Sequence, residues 1–341
     1  MNISFLVEPY FQNDRIFSAD DSAANRDDCL RPFIELRRWL AERGTRLATH
    51  DLLPIGNAET VLCLNMPPPR HDVWRQARRK GFPVHVIALE SEYIHRGNAN
   101  RALIDRCRTI FTYSDDLIDG DRFLPIRFSQ TIRPPRMRDW GERRFACMVS
   151  GNKYIKHPTE LYSKRLAVIR WYDVNNPGLF DLYGVGWDLP IPSSIPRRII
   201  RKLPVLQRLA APKFGVYRGT LSQKEEMLAG YRFCFCYENF SSPRGWVTEK
   251  IFDAMFAGCI PVYWGAENIA DHVPSECFID ASKFNGPADL HEKLHSMSDL
   301  ECKKILASIR SFLASDRVQD FSVETFVETL AKRLCERGVI S

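Results

Sequence analysis

A chain of 341 residues is long for one domain and comfortable for two, and its 45% hydrophobic content is enough to fill ordinary cores. No apolar run approaches the roughly eighteen residues of a membrane-spanning helix, which argues against an integral membrane protein of that kind. The charge is a mild +6, from 48 basic and 42 acidic residues, and ten cysteines are scattered without a C-x-x-C pair, as expected of buried reduced thiols in a cytosolic protein.

The N-terminus MNISFLVEPYF has no basic start and carries Glu8 early, so it reads as a first strand, Ile3–Val7, and not as a secretory signal. Leu30, Phe33, Ile34, Trp39 and Leu40 mark one face of a helix that ends near Gly44. Val61–Leu64 is a second apolar strand, stopped by Met66-Pro-Pro-Pro-Arg70. Val84–Leu89 is a third and delivers Glu90 at its carboxyl end. A helix around Ala102–Cys107 and a strand Thr109–Tyr113 follow. Asp119-Gly-Asp121 mimics a metal-binding D-x-D but reads first as a turn. The polar, Pro-containing stretch Ile132–Arg144 is a linker.

The second half begins again with a strand at Phe145–Val149, ending on Ser150-Gly-Asn152. Next come a helix over Glu160–Trp171 and a strand Leu179–Tyr183 with Gly184-x-Gly186 behind it. Between Leu189 and Lys224 lie eight basic residues and no acid, and without them the chain would hold 40 basic against 42 acidic residues. A solvated loop and an amphipathic segment, Arg197–Arg218, resting on an anionic membrane are equal readings of this stretch. Nucleic acid ranks third, for want of aromatics and of a binding module.

Strand Phe233–Tyr237 then leads into Glu238-Asn239, helix Thr248–Phe256 and strand Ile260–Tyr263. C-terminal helices cover roughly Asp289–Phe312 and Val323–Glu336. His291 and His295 share a helix face that has no third ligand, so a solvated surface is favoured over a metal site. Strand-helix alternation throughout predicts an α/β protein with parallel, doubly wound sheets.

The chemistry concentrates around Thr248. Thr248 suits an N-cap and Glu249 suits the first turn, whereas the cation Lys250 opposes the helix dipole unless an anion sits beside it. With Gly245 allowing close backbone approach, a helix N-terminus and a lysine beyond strand ends suit a diphosphate.

From Tyr231 to Asp280 the sequence resembles the α1,3/1,4-fucosyltransferase family: Glu-Asn, a short loop, Trp246-Val-Thr-Glu-Lys-Ile, then Ala257-Gly-Cys-Ile-Pro-Val-Tyr-Trp-Gly-Ala-Glu-Asn-Ile. The family usually has Tyr where this chain has Trp246. The resemblance implies two Rossmann-like domains facing a cleft (the GT-B architecture), and an inverting transfer of L-fucose from GDP-fucose. It implies a ribose contact for Glu249, a phosphate or fucose contact for Lys250 and a place near the sugar phosphate for Asn239. Arg165, on Tyr162-Ser-Lys-Arg165, becomes a second phosphate cation. Ser150, Asn152, Tyr183, Gly184, Trp246 and Thr248 complete the expected donor-binding set. Glu90 is the expected base, with Glu92 its competitor, and partial burial would raise Glu90 toward a useful pKa.

The expected divisions are 1–140 for the acceptor side, 141–318 for the GDP-sugar side and 319–341 for a C-terminal helix near the junction. No metal is required, though a stimulatory divalent ion stays open. The expected acceptor is an oligosaccharide or lipopolysaccharide of a bacterial surface, most simply the 3-OH of a GlcNAc-type sugar. The competing readings are a transferase for another GDP-sugar and a non-catalytic membrane- or nucleic-acid-binding protein.

Overall fold

The computed structural model describes residues 1–21, 23–190, 212–221 and 223–335. The chain divides into two compact units. The first comprises Met1–Ile132, Arg244–Trp246 and Asp316 onward; the second comprises Arg133–Pro243 and Val247–Ser315.

In the first unit, six strands form one parallel sheet: β1 (Asn2–Leu6), β2 (Arg46–Thr49), β3 (Thr60–Leu64), β4 (Val84–Ala88), β5 (Thr109–Thr112) and β6 (Phe123–Pro125), in the order β2-β1-β3-β4-β5-β6. The central strands are continuous apolar runs because helices and loops cover both sheet faces. Helix α1 (Arg31–Ala41) buries Phe33, Leu36 and Leu40 against Ile3, Phe5 and Leu62. Helices α2 (Asp72–Lys80) and α3 (Arg101–Ile104) follow β3 and β4, and Val73, Leu103 and Ile104 join the core on the other face.

The second unit is built the same way. Strands β7 (Arg144–Val149), β8 (Phe180–Tyr183), β9 (Tyr231–Tyr237), β10 (Ile260–Trp264) and β11 (Ile279–Asp280) form a parallel sheet in the order β11-β10-β9-β7-β8. Helix α4 (Tyr162–Asn175) joins β7 to β8. Helix α5 (Lys224–Leu228) precedes β9, α6 (Glu249–Phe256) joins β9 to β10, and the short α7 (Ile269–His272) follows β10. The chain runs from β7 outward to β8, then back across to β9. The carboxyl ends of β7 and β9 therefore flank a switch point in strand order, where open α/β sheets bind ligands.

Two expectations need correction here. The helix anticipated over Asp289–Phe312 is two helices, α8 (Pro287–Ser296) and α9 (Asp299–Leu313). Ser298 starts the second with a capping box: its hydroxyl accepts from the Glu301 N–H while the Glu301 carboxylate accepts from the Ser298 N–H. The face shared by His291 and His295 is only partly solvated: His295 is exposed, while the half-buried His291 ring packs on Trp171 and its Nδ1 lies 3.2 Å from the Tyr172 hydroxyl.

The last helix, α10 (Val323–Cys335), belongs to the first unit, where Phe326, Leu330 and Leu334 complete the core around α1. Phe326 meets Phe33 edge to face at 5.6 Å.

Candidate active site

Where β9 ends, Glu238 turns inward and is fully buried. Its carboxylate accepts hydrogen bonds from the Thr248 N–H (2.9 Å), the Thr248 hydroxyl (2.7 Å) and the Lys250 ammonium (2.9 Å). Lys250 also donates to the Thr248 hydroxyl at 2.9 Å and lies 3.6 Å from Glu249. Burial alone would lower the Lys250 pKa, but Glu238 and Glu249 outweigh it and hold the ammonium above its ordinary value. The anion that Lys250 needs at the start of α6 is therefore supplied from within the chain.

The expected N-cap role of Thr248 is corrected by the same geometry. Its hydroxyl makes no capping bond to the first turn of α6, because the Glu238 carboxylate is the stronger partner. Glu249, half-exposed, feels burial pushing its carboxyl up and the charges of Lys250 and Lys224 pulling it down. The cations prevail and set its pKa at about 2.

Arg165 reaches the same place from α4. It is 4% exposed, and its Nε and Nη2 donate to the Tyr237 carbonyl at 3.1 and 2.6 Å, with Nη2 also donating to Asn239 Oδ1 at 2.9 Å. Its guanidinium lies over the Tyr162 ring at 5.0 Å, and burial depresses its pKa. Nη1 has no partner among the described residues. Arg165, Asn239, Thr248, Glu249 and Lys250 are thus one cluster at the carboxyl end of β9. A guanidinium, an ammonium and an amide in such a cluster can hold an anion.

Ser150, Asn152, Tyr183 and Gly184 form a second group, on the loops after β7 and β8. Gly184 (φ +132°) brings its backbone so close that an added Cβ would lie 1.9 Å from the Ser150 carbonyl oxygen. That oxygen also accepts from the Trp187 indole at 2.7 Å, and Asn152 Nδ2 donates to the Gly186 carbonyl at 2.8 Å. The Tyr183 hydroxyl pairs with the Tyr231 hydroxyl at 3.0 Å, which donates to the buried Asp181 at 2.6 Å. These contacts shape the loops, and Tyr183 spends its hydroxyl on the sheet.

Trp246 and Gly245 belong to the first unit, where Trp246 is 2% exposed and meets Tyr113 edge-on at 4.8 Å. Gly245 (φ +81°) lacks a side chain because a Cβ would come within 2.2 Å of the Tyr113 carbonyl oxygen. Its close approach is to protein backbone.

Also in the first unit, Glu90 sits two residues beyond β4, half-buried, with its N–H donating to Asn65 Oδ1 at 3.2 Å and its carbonyl accepting from Asn98 Nδ2 at 2.7 Å. Glu92 accepts from the Tyr113 hydroxyl at 3.0 Å, and burial together with this carboxylate raises the Tyr113 pKa. Asp119 is a turn residue, its carboxylate accepting from the N–H groups of Asp121 and Phe123. No cluster of metal-ligating side chains occurs among the described residues.

Of the basic stretch, Arg197, Arg198, Arg201, Lys202 and Arg208 lie outside the described residues. Arg218 pairs with Asp181 at 2.6 Å and Lys224 with Asp253 at 3.3 Å. No helix among the described residues is long and apolar enough to cross a membrane.

Sequence reasoning missed the central part of Glu238, which it placed only at the end of strand Phe233–Tyr237. The signal was present: a carboxylate at the end of an apolar strand, facing a lysine placed unfavourably on its own helix.

Known proteins bear out this architecture. The fold is that of two-sheet GT-B glycosyltransferases: an α1,3-fucosyltransferase solved with GDP-fucose matches at TM-score 0.57 and 15% identity, over 99% of this chain and 91% of that one. Anabaena HepE, solved in complex with UDP and glucose, matches at TM-score 0.57 and 12% identity, over 98% of this chain and 99% of that one. Residues 210–304 match the model for glycosyltransferase family 10 (fucosyltransferase), C-terminal part. The Helicobacter pylori α-(1,3)-fucosyltransferase FucT is 31% identical over 134 residues, covering 30% of this chain and 28% of FucT. An Arabidopsis thaliana α-(1,4)-fucosyltransferase is 36% identical over 72 residues, covering 21% of this chain and 18% of that protein. The chain thus spans less than a third of the length of these curated relatives.

Proposed function

We propose that the protein is an inverting fucosyltransferase that takes L-fucose from GDP-fucose. The observation that carries this reading is the cluster of Arg165, Asn239, Glu249 and Lys250 at the carboxyl end of β9, partly within the family 10 segment. Arg165 and Lys250 would neutralise the diphosphate, and Glu249 would accept from the ribose hydroxyls. Glu238 keeps Lys250 charged and aimed, so the cation would be in place before the leaving group develops charge.

In the first unit, Glu90 would take the proton of the acceptor hydroxyl. The hydroxyl oxygen then bonds to fucose C1 as the C1–O bond to the β-phosphate breaks, and GDP departs with the bonding pair. The proposed acceptor is the 3-OH of a GlcNAc-type sugar in an oligosaccharide or lipopolysaccharide. Burial of Trp246 in the first unit supports a packing role there over a donor contact.

The test is GDP release from GDP-fucose with and without N-acetyllactosamine or lipopolysaccharide acceptors. Acceptor-dependent release from wild type that is lost in Glu90→Gln and in Lys250→Ala is the expected result. Turnover of GDP-mannose but not GDP-fucose would overturn the donor assignment, and an active Glu90→Gln would move the base elsewhere.

A further inference from the structure

The sheet hydrogen bonds around β4 end at Ala88, yet the backbone of Glu90 is not left loose. Two buried asparagines hold it, Asn65 from the end of β3 and Asn98 from the loop before α3, each 9% exposed. Asn65 Oδ1 accepts from the Glu90 N–H at 3.2 Å and from Asn98 Nδ2 at 3.0 Å. The other Asn98 amide hydrogen goes to the Glu90 carbonyl at 2.7 Å, and Asn98 Oδ1 accepts from the Met66 N–H at 2.9 Å. Asn98 thereby uses both donors and its acceptor. Asn65 holds a left-handed backbone (φ +61°), which asparagine tolerates better than most residues, while its own N–H donates to the Ile87 carbonyl at 2.8 Å.

We propose that Asn65 and Asn98 are positioning residues that clamp the Glu90 backbone on both sides and so aim its carboxylate at the acceptor hydroxyl. This rests on the reading of Glu90 as the base. Both polar groups of one peptide segment are bound by side chains from two other loops. Such a clamp fixes where a side chain starts, and an ångström of error in a catalytic group is enough to cost rate.

The experiment compares wild type, Asn98→Asp, Asn65→Gly and Glu90→Gln. Asn98→Asp keeps size but turns both donors into acceptors that face the Glu90 carbonyl and Asn65 Oδ1. Asn65→Gly keeps the left-handed backbone and removes only the amide. Each should lower kcat by about tenfold to a hundredfold, leave GDP affinity and the KM for GDP-fucose within about twofold (the proposed GDP contacts belong to the second unit), and shift the acid limb of the pH–rate profile. If Asn98→Asp fails to fold, Asn65→Gly decides. A folded variant with unchanged kcat overturns the proposal, as does one whose GDP affinity falls in step with kcat. A fully active Glu90→Gln overturns the base assignment itself, whereas an inactive Glu90→Gln beside fully active asparagine variants overturns only the clamp.

Discussion

Glu238 has no exposed surface, and its carboxylate is shared by Thr248 and Lys250. A buried ion pair adds little net stability compared with apolar replacements, but removing one partner strands the other. Lys250→Ala should therefore cost about 3–5 kcal/mol in urea unfolding, toward the lower end because the lysine side chain is 22% exposed. Adding Glu238→Gln to Lys250→Ala should recover most of that stability and none of the transfer activity. Recovery of both would mean that Lys250 serves only the fold.

Glu249 gives a pH signature of its own. Its folded pKa of about 2 lies below the ordinary value of 4.5, so its stabilising contribution is present above pH 4.5 and fades as pH falls toward 2. Wild type should lose stability to Glu249→Gln across that window, and partial exposure keeps the effect modest. Denaturant midpoints of the two proteins at pH 5 and pH 3 measure it; parallel shifts would show that Glu249 titrates normally.

At the level of elements, the glycine after β8 and the cap of α9 carry separable tasks. Gly184→Ala must move the Ser150 loop, since the new methyl would sit 1.9 Å from a carbonyl oxygen. It should weaken GDP binding by more than its effect on overall stability would explain, as isothermal titration alongside thermal melting would reveal. Ser298→Ala, which removes the capping box of α9, should cost only about 1 kcal/mol and leave GDP affinity alone.

The central strands were legible because a parallel strand covered on both faces reads as an unbroken apolar run, as in Val84–Ala88 and Tyr231–Tyr237. The strands that escaped notice are short and sit at sheet edges: Arg46–Thr49, Phe123–Pro125 and Ile279–Asp280. Helix α2 escaped because Val73 and Trp74 are its only buried residues. Within the site, Lys250 stood out as a cation in an unfavourable place on its helix, whereas Arg165 came from the family resemblance alone. The clamp on Glu90 did not, since Asn65 and Asn98 meet it only through the fold.

For the molecule as a whole, the first unit depends on residues from the far end of the chain. Leu330 is fully buried in the core that α1 and β1 build, so Leu330→Ala should cost about 2–5 kcal/mol. The loss should appear as earlier unfolding of the first unit, with hydrogen exchange in β7 and β9 little changed. Equal loss of protection in both sheets would show that the units unfold together.

That dependence has a temporal side. Protein domains commonly finish folding in the order in which the ribosome releases them. Here the strands of the first sheet emerge early, yet Val323–Cys335 follows only after the whole of Arg133–Ser315 has been synthesised. Through that interval the nascent first sheet must carry α1 with Phe33, Leu36 and Leu40 incompletely covered, a greasy face open to chaperones or to neighbouring chains. The unit that is translated second is therefore the one that can close its core first.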